Sequence, residues 1–405
     1  MERRVLGMIV TGGGGAPFEA LGVADDVALT PFGGRYRFVD FALANVANSG
    51  LAAACVCAPA PERALRARVT AALGRGSLVH ALPGLPGAGA PRTARLTSAL
   101  GVAIELARAH RAETVVVLPA DHVLQLDLRP LVTAHRARGA DLTLAATPMA
   151  AIAGARSPAL GIAEDWRVQS VVRPGAQRPA SRGVEFVWPG ELAVHAEALP
   201  AVLSALPPAP AASEAEWLGA LLSRLRVAAY DVLEAPLPGA ALGQGAYWHT
   251  PTSVEQYYEA QMDLCTPRPA LDLYNPLWPL PAVATGLGPA RVTADAAGRP
   301  ALVVNALLSD GALVHGAVVI NAVLGANVAI ESGAEVEDSV LLDGCRIGRG
   351  ARIRRALVGA GAIVPDGQKI GYGAPPARPA RLLPSGLTVV PAAPAATIVA
   401  APGAR

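Results

Sequence analysis

The sequence predicts an α/β chain in two parts: a Rossmann-like domain built on a buried parallel sheet, then a smaller parallel β-helix. Three observations predict it. An apolar, β-rich run, Val5–Thr11, leads into four consecutive glycines, Gly12 to Gly15, and then into a helical pattern. That order is a phosphate-accommodating strand–loop–helix unit. Two later runs, Ala52–Cys57 and Thr114–Leu118, are continuous and apolar, as strands buried on both faces of a parallel sheet are. From about Ala301 the aliphatic residues recur every sixth position, a hexapeptide period that fits neither a lone helix nor an ordinary sheet.

In chain order, the stretch Pro31 to Gly50 holds a Gly-Gly turn, two arginines flanking a tyrosine, and a helix over Phe38–Asn48 stopped at Ser49-Gly50. Pro61–Leu73 is an amphipathic helix, Ser77–Pro91 a long Gly/Pro-rich loop and Leu96–His110 a helix. Pro119-Ala120-Asp121-His122 follows the Thr114 strand at its carboxyl end, where open α/β sheets hold ligands. Next come a helix (Leu128–Arg138), a strand (Asp141–Ala146), an exposed hairpin (Gly161–Pro174) and a strand (Val184–Val187). Helices are expected over Glu191–Leu206 and Trp217–Leu225, a strand over Val227–Leu233, and a helix capped near Thr252 or Ser253 running to Leu264. The sixfold series runs Val318, Leu324, Ile330, Val336, Leu342, then Ile347, Ile353, then Leu357, Ile363, each expected to face inward. These patterns divide the chain into a domain over 1–265, a Pro/Gly-rich linker over 266–300 and repeats over 301–373. The Ala/Pro-rich tail over 374–405 reads as disordered apart from a last strand at Leu387–Val390.

Composition excludes several function classes. A net charge of +2 gives no electrostatic case for nucleic acid or a membrane surface. Leu382–Ala404 is uncharged, but Pro384, Pro391, Pro394 and Pro402 argue against a spanning helix. The N-terminal apolar run is too short for a leader and ends in glycines. Cys55 and Cys57 lie in an apolar run, and no second pair sits at zinc spacing. With Cys265 and Cys345 they read as reduced, buried thiols of a cytoplasmic protein.

Candidate site residues follow from position. Glycine amides can cradle an anion without side-chain help. Asp121 stands at a strand end, and His122 beside it reads as packing. Arg35 and Arg37 alternate on an extended piece, where they either bind an anionic effector or pair with carboxylates. His315, the only histidine of the repeat region, reads as exposed or packed.

Particular strings carry a resemblance. PFGGRYRFVDF (Pro31–Phe41) with Asn48-Ser49-Gly50, Ala120-Asp121-His122, Tyr247-Trp248, YYEAQMDL (Tyr257–Leu264), LYNPLW (Leu273–Trp278), EVEDSVL (Glu335–Leu341) and IGRGARIRRA (Ile347–Ala356) resemble the glucose-1-phosphate adenylyltransferases, or ADP-glucose pyrophosphorylases, of glycogen synthesis. The resemblance spans residue 5 to about 373. It implies a nucleotidyltransferase domain joined to a left-handed β-helix, assembled as a tetramer. It also implies a reaction in which glucose 1-phosphate attacks the α-phosphorus of ATP in line, with Mg²⁺, giving ADP-glucose and pyrophosphate. Such catalysis is positioning plus neutralisation of growing negative charge. By the same resemblance, Asp121 is the catalytic residue and first metal carboxylate. Gly12, Gly13, Gly14 and Gly15 bind nucleotide, Gly161 and Ser181 lie at the sugar site and Arg173 at the sugar phosphate; Arg35 and Arg37 also survive from the family's pattern, with an effector as one of their two open uses.

Several positions depart from the family's pattern. Gly15 is followed by Ala16-Pro17-Phe18, with no arginine for the triphosphate. Val27 stands where the family has a lysine, in a loop made acidic by Asp25 and Asp26. The string Thr93–Leu100 lacks the family's tyrosine and aspartate, Val172-Arg173 replaces a Glu-Lys pair, and Thr250 replaces the second metal aspartate. Losing one preorganised charge-stabilising group costs roughly 10²–10³ in rate, about 3–4 kcal/mol. The expectation is therefore a weakly active or inactive regulatory subunit beside an active paralogue. The alternatives are an active adenylyltransferase and a non-catalytic sugar-phosphate sensor or scaffold.

Overall fold

A computed structural model describes residues 4–13, 18–22, 26–51, 53–59, 63–74, 78–82, 90–148, 157–174, 184–207, 213–240, 246–281, 283–373 and 379–393. The N-terminal part is built on a 10-stranded sheet. Its parallel heart is Thr114–Pro119, Val5–Val10, Ala53–Ala58 and Leu78–Ala81 in that spatial order. Alternate residues of the first strand enter different cores. Leu6, Met8 and Val10 pack with the helix Arg92–His110, whereas Val5 and Ile9 pack with the helices Phe38–Asn48 and Leu128–Arg138. Helices thus cover both faces, which is why these strands read as unbroken apolar runs.

Two local readings change. The expected helix over Glu191–Leu206 is instead a strand, Leu192–His195, a short 3-10 turn, and a helix only over Leu199–Ala205. Pro200 explains the late start, because proline is tolerated in the first turn of a helix and breaks its interior. The freed strand slots antiparallel between Thr114–Pro119 and Leu142–Pro148. Within the expected loop over 77–91, Leu78–Ala81 pairs in parallel with Ala53–Ala58 and extends the sheet. The hairpin at the other edge forms as Ala159–Ile162 against Val168–Val172.

The C-terminal part is the left-handed β-helix. One sheet stacks Arg291–Thr293, Leu313–His315, Ala329–Ile330, Arg346–Ile347 and Ile363–Val364. The other stacks Leu302–Leu308, Val318–Leu324, Glu335–Leu341 and Arg352–Val358. Register pairs such as Val336↔Ile353 and Ile330↔Ile347 fall one coil apart. The inward column is Val314, Val319, Leu324, Ile330, Val336, Leu341, Ile347, Ile353, Val358, Val364 and Ile370. Val318 and Ile363 therefore leave the predicted core: Ile363 is 58% exposed and its neighbour Val364 takes the inward place. Leu342 and Leu357 are buried, but against the N-terminal domain.

The phase shifts because Asn321, Asp338 and Arg355 sit in the left-handed region (φ 49°, 43° and 46°) midway along the long strands. Each reverses the in–out alternation after it. Asn and Asp tolerate that conformation best among residues with a Cβ. The asparagines also form a ladder, Asn305 Nδ2 donating to Asn321 Oδ1 at 3.2 Å and Asn321 Nδ2 to Asp338 Oδ1 at 3.1 Å.

The outward residues Val323, Val340 and Leu357 meet Phe32, Phe38, Phe41 and Tyr257 in a core shared by the two domains. The repeat domain starts at Arg291, inside the predicted linker. Thr388–Val390 returns to pair with Arg352–Val358, where the sequence places a last strand; residues 394–405 lie outside the described residues. Among the described residues no helix is long and apolar enough to cross a membrane.

Candidate functional site

The site gathers at the carboxyl ends of two adjacent parallel strands. Val10 pairs with Pro119, so the turn Thr11-Gly12-Gly13 lies beside Ala120-Asp121. Gly12 and Gly13 have φ of 93° and 100°, a region that favours glycine. Space demands glycine as well. A Cβ on Gly12 would lie 2.5 Å from Pro59 Cγ, and one on Gly13 2.9 Å from Arg95 Nη2. Gly14 and Gly15 lie outside the described residues, as do Asp25 and Ser181.

The glycine turn already holds an anion. The Gly12 amide donates to Asp26 Oδ1 at 2.8 Å, and the same oxygen accepts from Ala28 N at 2.9 Å, capping the turn Val27–Leu29. Asp26 is buried. An acidic loop residue has therefore folded back onto a backbone donor that the resemblance assigns to nucleotide.

Asp121 is equally engaged. Arg92 grips it with two bonds, Nε to Oδ2 and Nη2 to Oδ1, both 2.9 Å. Arg95 Nη2 adds a third bond to Oδ2 at 2.9 Å. His122 Nδ1 lies 2.9 Å from Oδ1, and its Nε2 lies 2.7 Å from Glu191 Oε1. Glu214 Oε1 stands 3.4 Å from Arg92 Nη1. Two arginines and a histidinium thus face three carboxylates, and the cluster is neutral by itself. Burial disfavours the Asp121 carboxylate, but Arg92, the His122 hydrogen bond and Arg95 outweigh it and hold its pKa well below the usual range. Burial likewise opposes a charged His122, yet Glu191 and Asp121 lift it to about 9. His122, read from sequence as packing, is a charged member of this cluster.

The remaining candidates are dispersed. Gly161 pairs with Ser170 in the hairpin at the sheet edge, and Arg173 follows that hairpin to pair with Glu216. Glu214 and Glu216 share the first turn of the helix Glu214–Leu222, so this turn touches both Arg92 and Arg173. Arg35 and Arg37 lie at the boundary between the domains, where Arg35 Nη2 is 3.5 Å from Asp310 and Arg37 bonds to Asp343. Of the two uses open to these arginines in the sequence, pairing with carboxylates is the one observed here.

The Mg²⁺ implied by the resemblance does not fit the donor set. Both Asp121 oxygens accept from guanidinium groups. The strand Tyr247–His249 pairs with Val123–Gln125 and runs on to Thr250, which offers a neutral hydroxyl that lacks a hydrogen-bond partner among the described residues. Magnesium sites are built on one or two carboxylates with open water positions. Among the described residues no group of three or more His, Cys, Asp or Glu side chains could hold a metal.

Arg92, Arg95, Glu191, Glu214 and the placement of Asp26 escape a sequence reading. One signal for the arginines was available. Two cations at the head of a helix oppose its dipole, and Arg92 and Arg95 open the helix Arg92–His110 with no acidic residue in its first turn. Such a helix start needs a carboxylate from elsewhere, and Asp121 supplies it.

Comparisons with known proteins agree with this architecture. Residues 6–154 match the family model described as nucleotidyl transferase, and residues 288–390 match the model described as GlmU-like, C-terminal hexapeptide. Curated relatives match over nearly their whole length. The glucose-1-phosphate adenylyltransferase of an Anaeromyxobacter species is 30% identical over 386 residues, covering 91% of this chain and 93% of the relative. That of Frankia casuarinae is 29% identical, covering 91% and 92%. That of Deinococcus radiodurans is 29% identical, covering 92% and 94%.

Proposed function

Since the chain belongs to the glucose-1-phosphate adenylyltransferase family, we propose that it serves glycogen or α-glucan synthesis as a regulatory subunit that has given up catalysis. One observation supports this reading most. Groups that the resemblance sets against substrate or effector anions are engaged by carboxylates of the chain itself. Asp26 sits on the Gly12 amide, Glu216 on Arg173, Asp310 beside Arg35 and Asp343 on Arg37. The Asp26 contact weighs most, because it is buried and its donor is backbone. The exposed pair Arg173–Glu216 costs little to open, so sugar phosphate retains a route to Arg173. Turnover needs more. The triphosphate must displace Asp26 from the glycine turn without the basic side chains that family members bring there.

A regulatory subunit needs an active partner, and the assembly expected is a mixed tetramer with a catalytic paralogue. The test is to purify the tagged chain from its own cells, identify an adenylyltransferase that accompanies it, and assay that enzyme with and without this chain. A changed rate or effector response supports the proposal. An active paralogue that neither associates nor responds sinks it and leaves a sugar-phosphate sensor or scaffold as the better reading.

A further inference from the structure

We infer that Arg92 and Arg95 occupy the place of the divalent cation at Asp121, so that this site takes up no Mg²⁺. The inference rests on Asp121 standing at the family's metal position; it does not require the chain to be inactive.

Magnesium demands oxygen ligands at about 2.0–2.1 Å in near-octahedral array, usually with several waters retained. Asp121 has no face left for this. Oδ2 accepts from Arg92 Nε and Arg95 Nη2, and Oδ1 accepts from Arg92 Nη2 with His122 Nδ1 alongside, all at 2.9 Å. These are charge-assisted bonds, one of them a two-pronged guanidinium–carboxylate grip. An entering ion would have to break them and then sit within a few ångströms of two like charges.

Neither arginine is free to swing away. Arg95 is 3% exposed, and its Nε and Nη1 donate to the Ala90 and Thr11 carbonyls at 3.3 Å each. Arg92 Nη1 donates to the Pro189 carbonyl at 3.1 Å and faces Glu214. Gly13 completes the seat, since a side chain there would collide with the Arg95 guanidinium. The cations are built into the backbone around them, as a bound ion is into its ligands.

Manganese is the probe, titrated into the full-length chain and followed by the electron paramagnetic resonance of the free ion. The unaltered chain should take up no Mn²⁺ that Asp121→Asn abolishes. The double variant Arg92→Gln, Arg95→Gln should gain a site, read as a stoichiometric loss of free-ion signal, and adding Asp121→Asn should remove it. Uptake by the unaltered chain that depends on Asp121 overturns the inference, as does a folded double variant that still ignores the metal. If the double variant does not fold, the single variant Arg92→Gln carries the same comparison. If Asp121→Asn does not fold, the His122 ring resonances of the unaltered chain decide: broadening by Mn²⁺ overturns the inference and sharp lines support it. Pyrophosphate release separates the two claims. Mn²⁺ uptake without release defeats this inference alone, and release without uptake defeats the regulatory reading alone.

Discussion

At the scale of single residues, Asp121 decides what kind of site this is. A carboxylate waiting for a metal is an isolated charge, and neutralising it relieves strain. Here it is the counter-charge of two buried arginines. Removing one partner of a buried ion pair leaves an uncompensated charge and costs about 3–5 kcal/mol. Asp121→Ala should therefore lower the unfolding free energy read from urea denaturation by an amount of that order, whereas an isolated metal carboxylate would show little change or a rise. His122 gives a second residue-level prediction. Its folded pKa is about 9 against an ordinary 6.5, so the folded chain binds this proton more tightly than the unfolded chain. The stability it contributes is complete below pH 6.5 and is lost as pH rises through about 9. Thermal melts across that window should fall with rising pH, and His122→Gln should flatten the slope. A wild-type profile that is already flat would refute the histidinium. Asp121 itself was legible from its place at a strand end. Its partners were not, because Arg92 and Arg95 come from a helix that precedes the strand, and Glu191 stands just before the strand Leu192–His195, in a stretch that reads as helix.

At the scale of elements, the β-helix shows how a correct period can carry a wrong phase. The sixfold recurrence identifies the architecture without help from the structure. It misplaces Val318, Leu342, Leu357 and Ile363, because a fixed spacing cannot register the parity reversals at Asn321, Asp338 and Arg355. The left-handed conformation at those positions has a measurable consequence. It costs a residue with a Cβ roughly 1–2 kcal/mol, which Asn largely avoids and Gly does not meet. Asn321→Val should therefore destabilise the repeat domain by about that amount in chemical denaturation, and Asn321→Gly by less. Equal loss in both would locate the effect in the asparagine ladder instead. The missed strand Leu192–His195 teaches a related lesson. Its apolar run suits either a helix or a buried strand, and only Pro200, which defers the helix start, breaks the tie.

At the scale of the whole molecule, the two domains share one core. Val323, Val340 and Leu357 turn outward from the β-helix onto the phenylalanines of the PFGGRYRFVDF stretch. Arg35 and Arg37 from that stretch reach Asp310 and Asp343 in the repeats. Emptying a buried leucine position costs about 2–5 kcal/mol, so Leu357→Ala should loosen the junction. Limited proteolysis should then cut between residues 265 and 290 faster than in the unaltered chain. Unchanged cleavage would show that the shared core does not hold the domains together. The family and both domains were legible from the sequence because strings and period carry them. The closure of the site was not, because the contacts of Asp26 with Gly12, Arg92 with Asp121 and Glu191 with His122 form only in three dimensions. That closure is tested most directly by pyrophosphate release from ATP and glucose 1-phosphate with Mg²⁺, using the purified chain alone. No release above a chain-free blank is expected. Release that disappears when glucose 1-phosphate is omitted would contradict that closure and make this chain an enzyme.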